Sequence, residues 1–482
     1  MDTITGINSA VSNFVWGAPA MVCILGIGIY LSFRTRFIQI RKFGHALKMT
    51  VGKIFTKSGE KKEGAITPFQ ALCTALAATV GTGNIAGVAG AISIGGPGAV
   101  FWMWVSALLG MCTKFSEVTL AVHYREIDET GTYVGGPMYY IKNGLGKGWK
   151  WLGSIFCVFG FLAAFGIGNM TQINTIASSI NTAIDAFGGN VEASTITLFN
   201  QVVPVSSIVI GVVVAAIVAL VLIGGLKRIG QVTEKLVPVM AVVYIIAALA
   251  VVIVNFRFIG KAFGMIFGNA FTVQAAFGGA VGIAFKTVVQ KGVARGVFSN
   301  EAGLGSAPIA HAASSEKDPV KQGLYGIFEV FMDTIVICTL TALVVLLGYC
   351  SNAISPEWGG SGGAALVSSS FAGVMGGKLG SLIVAVGISL FALSTILSWS
   401  LYGTRCFEYL FGTKASIVYK VIFILFAIVG ATMSLSDAWN LADALNGFMA
   451  IPNLIAILAL SPVIIKLVRD HFKENKEGKL AK

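Results

Sequence analysis

Charged residues are scarce in this chain, and that scarcity limits the kind of protein it can be. Lys, Arg, Asp and Glu make up 12% of the 482 residues, whereas hydrophobic residues make up 55%. An ordinary water-soluble domain carries about 25% charged residues. A chain this apolar cannot hide its hydrophobic surface in a soluble fold, so the composition favours a protein embedded in a lipid bilayer.

Residues that carry enzyme or metal chemistry are also few. The four histidines fall in predicted loops or the tail without metal-ligand spacing, and the seven cysteines do not pair by spacing. A membrane enzyme would need a nucleophile with its base or a metal cluster, and a nucleic-acid binder would need a basic face or a known module. The sequence shows none of these, so we expect no catalytic residues, no cofactor and no nucleic-acid partner.

Long apolar runs dominate the chain instead. A helix needs roughly 20 apolar residues to cross the hydrocarbon core, whereas a membrane β-barrel would show short alternating segments. Length and hydropathy predict about eleven spanning helices, and therefore an all-α polytopic membrane protein. The leading helix covers about 11–33, and the others begin near Thr67, Ala99, Trp151, Val205, Gln231, Lys261, Gly323, Gly377, Ala415 and Asn440. Two stretches outside the spans, 138–141 and 364–375, are either short interfacial helices or ordinary loops.

Basic residues indicate how these helices are oriented. The loop after the leading helix is rich in Arg and Lys, as are the loops at Lys142, Lys227 and Lys317 and the tail from Lys466. Basic loops stay on the cytoplasmic side of the membrane. We therefore expect a multi-pass protein of the cell membrane, with its N-terminus outside and its C-terminus in the cytoplasm.

Glycine interrupts the second predicted span at its middle, where the chain reads Ala-Thr-Val-Gly-Thr-Gly-Asn over 78–84. Glycine costs roughly 1 kcal/mol relative to alanine inside a helix, so a local break is expected. A break is tolerated in the membrane only where it lines a cavity within the protein. The freed N–H groups can bind an anion and the freed carbonyls a cation, which suits an amino acid with both charges.

The seventh span carries a similar interruption, Phe-Gly-Gly-Ala-Val-Gly over 277–282. The two interrupted spans become the first and sixth of ten when the leading helix is set aside. That spacing is typical of two inverted five-helix repeats with a binding site between them, although glycines can also simply let helices pack closely. The predicted segments are a leading helix at 1–34, a basic cytoplasmic loop at 35–66, repeats at 67–254 and 255–467, and a cytoplasmic tail at 468–482.

Polar side chains inside other spans extend the candidate site. Asp333 lies early in the eighth span, where a carboxylate either binds a cation or pairs with a base from an inner loop. Gln172 in the fourth span either faces the cavity or bonds a neighbouring helix. Ser394 and Thr395 in the ninth span offer adjacent hydroxyls to a hard cation, or they bond back to their own helix.

At these residues the chain resembles a known family, the alanine or glycine:cation symporters. Three segments carry the resemblance: FQALCTALAATVGTGNIAGVA at 69–89, GGPMYYI at 135–141 and NEAGLGSAPIAHA at 300–312. The family is similar to the wider LeuT-type fold, which has inverted repeats and broken helices. The resemblance therefore implies a LeuT-type 5+5 inverted repeat preceded by one extra helix.

The resemblance also implies roles for individual residues. The 78–84 stretch is similar to the Asn-Ala-Val-Gly-Leu-Gly-Asn stretch of the first core helix of that fold. By that match, the N–H groups of Thr82 and Gly83 hold the substrate carboxylate, and the carbonyl of Thr79 faces its amine. The implied sodium ligands are Ala77, Val80, Phe391, Ser394 and Thr395, with Asn84 and Asp333 as candidates for a second sodium site. Together with the residues singled out above, the predicted substrate site comprises Thr79, Gly81, Thr82, Gly83, Asn84, Gln172, Phe277, Gly278, Gly279 and Trp399.

The function implied by the resemblance is sodium-coupled import of alanine, glycine or both by alternating access, with Phe277 and Trp399 as candidate lids over the substrate. The expected partners are the amino acid, sodium as the coupling ion, and the lipid bilayer. The oligomeric state stays open, and a monomer is compatible with this function. The alternative is a proton-coupled amino-acid transporter of the same fold. A channel is disfavoured because the chain has neither rings of charge nor repeated filter loops.

Overall fold

A computed structural model describes residues 16–54, 64–198, 201–271, 285–355, 363–433 and 435–480 of the chain. The described part is predominantly helical. The first half contains α1 (Ala18–Arg34), α2 (Ile38–Arg41), α3 (Phe43–Ile54), α4 (Pro68–Thr79), α5 (Ala86–Gly95), α6 (Gly98–His123), α7 (Pro137–Tyr140), α8 (Lys150–Phe165), α9 (Thr171–Ala186), α10 (Val205–Leu222) and α11 (Gly225–Val254).

The second half continues in the same way. Its helices are α12 (Ile259–Asn269), α13 (Phe285–Asn300), α14 (Ala307–Ala312), α15 (Pro319–Val330), α16 (Thr339–Cys350), α17 (Ala364–Met375), α18 (Gly377–Phe411), α19 (Ser416–Thr432), α20 (Leu435–Ala459) and α21 (Ser461–Leu480). Short 3₁₀ turns cover Thr82–Asn84, Lys147–Trp149, Val191–Ala193, Phe256–Phe258 and Thr413–Ala415. Wider π-helical turns cover Ile141–Leu145, Gly166–Met170 and Phe331–Cys338.

Two small antiparallel hairpins lie in loops between helices. In the first hairpin, β1 (Glu126–Ile127) pairs with β2 (Tyr133–Val134), with Glu126 opposite Val134. In the second hairpin, β3 (Thr195–Leu198) pairs with β4 (Gln201–Pro204), with Leu198 opposite Gln201. The chain is therefore a helical membrane protein with only minor strand content in its described part.

The number of spans is close to the prediction. Within the described ranges, seven helices are long and apolar enough to cross a membrane, or nine when each sharply bent pair is counted as one span. The other two predicted spans correspond to α1, which has 17 residues, and to the stretch from α12 to α13, which includes residues outside the description. Of the two structures left open for the stretch at 364–375, a short helix or a loop, the helix is present as α17, with those bounds.

The first broken helix is fixed at its start by its own sequence. Thr67 caps α4: its Oγ1 accepts from the Gln70 N–H at 3.1 Å, while Gln70 Oε1 accepts from the Thr67 N–H at 3.1 Å. This reciprocal arrangement satisfies backbone donors that a helix start leaves free. Gln70 Nε2 also donates to Glu234 on α11 at 2.8 Å. The cap therefore holds α4 in a defined position against α11.

Long buried helices surround the break. The helix α18 packs against α4, α8, α9 and α11, while α6 packs against α13 and α15. The histidines do not lie in loops, as the sequence suggested, but on α3, α6, α14 and α21. His311 on α14 is fully buried. The prediction failed for His311 because a short polar-flanked helix looks like a loop when its tertiary partners are unknown.

Candidate functional site

The predicted break in the first core helix is present. Regular helix ends at Thr79, Val80 (φ −80°, ψ 84°) and Gly81 (φ −131°, ψ −154°) leave helical geometry, and α5 begins at Ala86. The two halves are bent by 57°. Thr79, Thr82 and Asn84 are buried, so the freed backbone groups face protein, as a break in the membrane requires.

Side chains from two directions satisfy the freed N–H groups. Asn84 Oδ1 accepts from the Gly81 N–H at 2.8 Å, and Gln172 Oε1 accepts from the Thr82 N–H at 3.3 Å. Gln172 in turn donates through Nε2 to the carbonyl of Ile167 at 2.8 Å, within the π-helical turn between α8 and α9. Gln172 therefore lies at the break, where an arriving carboxylate would compete with its amide oxygen for the same N–H.

This placement gives a test of the substrate site. Gln172→Glu keeps the side-chain shape but puts a negative charge beside the N–H groups proposed for the carboxylate. The repulsion should raise the KM for alanine, the substrate implied by the resemblance, by about tenfold, which corresponds to about 1.4 kcal/mol. Radiolabelled uptake measures this, with Gln201→Glu, on β4, as a matched control that should leave KM unchanged. An unaltered KM in Gln172→Glu would remove Gln172 from the substrate site.

Oxygen atoms of α4 and α18 converge beside the break. The Ala77 carbonyl accepts from Ser394 Oγ at 3.2 Å and from Thr395 Oγ1 at 3.0 Å. Both hydroxyls also reach the carbonyl of Phe391, at 2.8 and 3.1 Å. The hydroxyls thus bond back to their own helix and cross to the broken helix as well. All-oxygen groups of this kind, including carbonyls at an unwound helix end, suit a hard cation such as sodium.

Val80, the fifth predicted ligand, is buried at the end of α4. Gly81 keeps this region compact, because a Cβ at Gly81 would lie only 2.5 Å from Thr395 Oγ1. Gly83 is less constrained, since a Cβ there would meet the ring of Phe298 at 3.4 Å. Glycine is therefore required at position 81 to leave room for the oxygen cluster, whereas it is not required for this reason at position 83.

A second polar cluster lies on the other side of Asn84. Asp333 is fully buried in the π-helical turn that leads into α16. Its Oδ1 accepts from Asn84 Nδ2 at 2.6 Å, and its Oδ2 accepts from Ser299 Oγ at 2.8 Å and Thr334 Oγ1 at 2.7 Å. These partners in the described part of the chain are neutral, which favours a cation ligand over an ion pair with an inner-loop base.

Trp399 is buried one turn below Thr395 on α18. Its Nε1 donates to Glu301 Oε1 at 2.9 Å. A Cβ at Gly168 would lie 2.3 Å from the Cβ of Trp399, so only glycine fits there. Trp399 is firmly held in this conformation. The other predicted lid and wall residues, Phe277, Gly278 and Gly279, lie outside the described residues.

A cavity of about 360 Å³ lies toward the predicted cytoplasmic side of α18, and Thr404 and Arg405 contribute to its wall. Arg405 Nη1 bonds Asp128 at 3.2 Å and Glu408 at 2.8 Å. Burial alone would raise the pKa of Asp128, but hydrogen bonds from Thr130 and the backbone, together with Arg405, hold it below its ordinary value. Asp128 therefore stays ionised and keeps this end of the cavity bridged at neutral pH.

Sequence reasoning missed several buried polar residues near the site. Ser299 was not singled out, although it bonds Asp333, and neither was the fully buried ion pair of Lys114 with Glu329 at 3.2 Å. Charged residues inside apolar spans are a usable signal for such groups. Their partners, however, come from distant parts of the chain and follow no periodic spacing.

The chain is similar to known proteins over nearly its whole length. The model of the sodium:alanine symporter family matches residues 1–482. The chain is 47% identical to a sodium/alanine symporter, AgcS, of Methanococcus maripaludis, with 96% of both chains covered. It is 37% identical to a probable sodium/glutamine symporter, GlnT, of Bacillus subtilis, covering 97% of this chain and 91% of the relative.

Two further proteins are similar to the chain, one in its sequence and one in its fold. A putative sodium/proton-dependent alanine carrier protein, YrbD, of Bacillus subtilis is 34% identical, with 98% of this chain and 93% of the relative covered. The crystal structure of MhsT in complex with L-phenylalanine superposes with a TM-score of 0.57 at 14% identity, covering 85% of this chain and 99% of that one. At that identity the superposition shows a shared fold, the LeuT-type fold, and nothing about the substrate.

Proposed function

The chain belongs to the sodium:alanine symporter family, and from that membership we propose that it imports alanine, and glycine as a second substrate, with sodium as the coupling ion. It is a multi-pass membrane transporter and not an enzyme. The proposed topology has the N-terminus outside, the C-terminus in the cytoplasm, and inverted repeats at 67–254 and 255–467.

The oxygen cluster between α4 and α18 is the observation that carries this proposal. Ser394 and Thr395 belong to α18, and Ala77 belongs to the broken helix, so a sodium ion bound among them would hold two separate helices together. Sodium would then favour the conformation in which both helices are close. A bound ion shifts a conformational equilibrium only by its difference in affinity between the two states.

The break supplies the proposed substrate site next to this ion. The N–H groups of Thr82 and Gly83 would bind the carboxylate, and the Thr79 carbonyl would face the amine. Gln172 releases the Thr82 N–H when the carboxylate arrives. The close approach of Gly81 to Thr395 leaves little room at this point, which supports a substrate with a very small side chain.

Release into the cytoplasm is proposed to pass through the cavity beside Thr404 and Arg405. The helix α18 carries both the oxygen cluster and part of the cavity wall. A movement of α4 away from α18 would separate Ala77 from Thr395 and extend this cavity toward the break. Loss of sodium and opening to the inside are therefore linked through one pair of helices.

A second sodium ion is proposed at Asp333 and Asn84. Asp333→Asn removes the negative charge but preserves the size of the side chain, so a purely structural Asp333 would tolerate it. We expect the dependence of uptake on sodium to lose its cooperativity, with the Hill coefficient falling from above one to one. Asp185→Asn is the matched control, since Asp185 is exposed and its Oδ1 accepts from the Val191 N–H in a loop outside the spans. A cooperative curve in Asp333→Asn would exclude the second ion there.

The proposed function is tested by uptake into proteoliposomes. Radiolabelled alanine should accumulate when a sodium gradient is imposed, also in the presence of a protonophore. Unlabelled glycine should compete, and glutamine should compete less because of its larger side chain. Accumulation driven by a pH gradient without sodium would instead establish the proton-coupled alternative.

A further inference from the structure

A buried charged network lies beside the candidate site and is not used by the proposed mechanism. Lys114 and Glu117 lie on α6, Glu329 lies on α15, and Glu301 and His311 lie between Asn300 and Pro319. Each of these side chains is at most 1% exposed. Charged groups are rarely buried so completely unless their charges are balanced. The charges within this network must therefore balance one another.

His311 contributes at most one positive charge to this network. Its Nδ1 lies 2.8 Å from Gln322 Nε2, and its Nε2 lies 3.1 Å from Glu329 Oε2. Gln322 Oε1 accepts from Ser314 Oγ at 3.0 Å. His311 is therefore held against α15 through two of its side chains, Gln322 and Glu329.

The network contains three carboxyl groups, one ammonium group and one imidazole, so its carboxyl groups outnumber its possible cations whichever form the imidazole takes. The ammonium of Lys114 contacts Glu329 at 3.2 Å. Glu301 accepts from Trp399 Nε1 at 2.9 Å and from Ser306 Oγ, both of which are neutral donors. An uncompensated charge in the interior is strongly destabilising. The network therefore has to take up a proton or another cation.

Glu117 uses only one of its two carboxyl oxygens in hydrogen bonds to the described residues. Its Oε1 accepts from the N–H groups of Gly303 at 3.1 Å and Gly305 at 3.2 Å, and from Asn453 Nδ2 at 2.6 Å. Its Oε2 is buried and has no hydrogen-bond partner among the described residues. Lys114, one turn away on the same helix, disfavours a metal cation at this oxygen. A proton is small enough and needs no further ligands.

We propose that Glu117 holds an exchangeable proton on Oε2. The carboxylate and a proton combine to the neutral acid, and no other bond forms or breaks. The titratable groups that interact with Glu117 are Lys114 on its own helix, Glu329 on α15 and Tyr140 on α7. Glu301 and His311 belong to the same network through Lys114 and Glu329. This proton site lies outside the proposed sodium and substrate sites.

Protonation of Glu117 would act on the contacts between three parts of the protein. Through Oε1 the carboxyl connects α6 to Gly303 and Gly305, which follow α13, and to Asn453 on α20. Hydrogen bonds to an ionised carboxylate are stronger than those to a neutral acid. Taking up the proton should therefore weaken these contacts, and ionisation should strengthen them. Transport should depend on pH through this group.

Infrared difference spectroscopy of the purified protein in proteoliposomes tests the proposal directly. The wild type should show the carbonyl band of a buried protonated carboxylic acid, which disappears on titration to alkaline pH. Glu117→Gln should lack this titrating band, because glutamine imitates the protonated form and keeps the acceptor oxygen. Its alanine uptake should also have a flatter pH profile than that of the wild type. Glu126→Gln, on the surface hairpin, is the control and should retain the band.

A second variant covers the case in which Glu117→Gln does not fold. Asn453→Leu removes one donor to Oε1, which destabilises the ionised form, so the band should titrate at higher pH than in the wild type. A wild type without a titrating carboxylic-acid band would overturn the proposal, as would an unchanged band in folded Glu117→Gln. The spectra do not depend on transport, so these outcomes are independent of whether alanine and sodium are the transported species.

Discussion

Replacement of Gly81 by alanine is expected to reduce alanine uptake by about 100-fold at subsaturating sodium, which corresponds to nearly 3 kcal/mol. The added Cβ would lie 2.5 Å from Thr395 Oγ1. Thr395 can avoid this clash only by rotating about χ1, which removes its hydroxyl from the carbonyls of Ala77 and Phe391. The substitution therefore has two effects: it damages the oxygen cluster and it crowds the substrate site.

Gly87→Ala is the matched control for this prediction. It adds the same methyl group six residues further along the same broken helix, on α5, where no atom lies within 4 Å of the added Cβ. Uptake by Gly87→Ala should stay within about threefold of the wild type. Similar losses in both variants would mean that the broken helix is sensitive to any added side chain, and the specific role given to Gly81 would be wrong.

Thr395→Ala is expected to raise the sodium concentration for half-maximal uptake by at least about tenfold, because one oxygen ligand of a desolvated cation is lost. Thr395→Ser should restore most of the affinity, since it keeps the hydroxyl. Thr182→Ala on α9 is the control, since Thr182 is exposed and its Oγ1 donates to the Ser178 carbonyl of its own helix at 2.9 Å. Sodium dependence measured at saturating alanine distinguishes these variants.

The two substitutions should not be additive. Without the Thr395 hydroxyl, the nearest oxygen to the methyl group of Gly81→Ala is Gln172 Oε1, at an ordinary contact distance of 3.4 Å. The double variant should therefore resemble Thr395→Ala and not show the product of the two losses. Additive losses, or sodium affinity unchanged in Thr395→Ala, would place the ion elsewhere.

Local chemistry explains which parts of the fold could be predicted. The break at 79–84 and the α17 helix follow from glycine and from short apolar patterns, which act within a few residues. The oxygen cluster depended on the resemblance, because nothing in the sequence alone connects Thr395 with Ala77 across more than 300 positions. The structure brings these oxygens together, while their role as sodium ligands stays a proposal.

The buried network shows why the rest could not be predicted. Glu117, Glu301, Glu329 and Asn453 come from separate helices and loops, and each alone resembles an ordinary polar residue near the end of a span. Their partnership depends on the angles at which α6, α15 and α20 pack. Those angles are set by side-chain packing over the whole bundle. Hydropathy and motif spacing contain no information about them.

The central claim is that a sodium gradient drives alanine across the membrane through the cluster between α4 and α18. The most direct measurement is alanine accumulation in proteoliposomes of the wild type and Thr395→Ala, with either a sodium or a proton gradient imposed. The account predicts accumulation in the wild type with the sodium gradient alone, and a requirement for higher sodium in the variant. Accumulation with the proton gradient alone, or identical sodium dependence in both proteins, would contradict it.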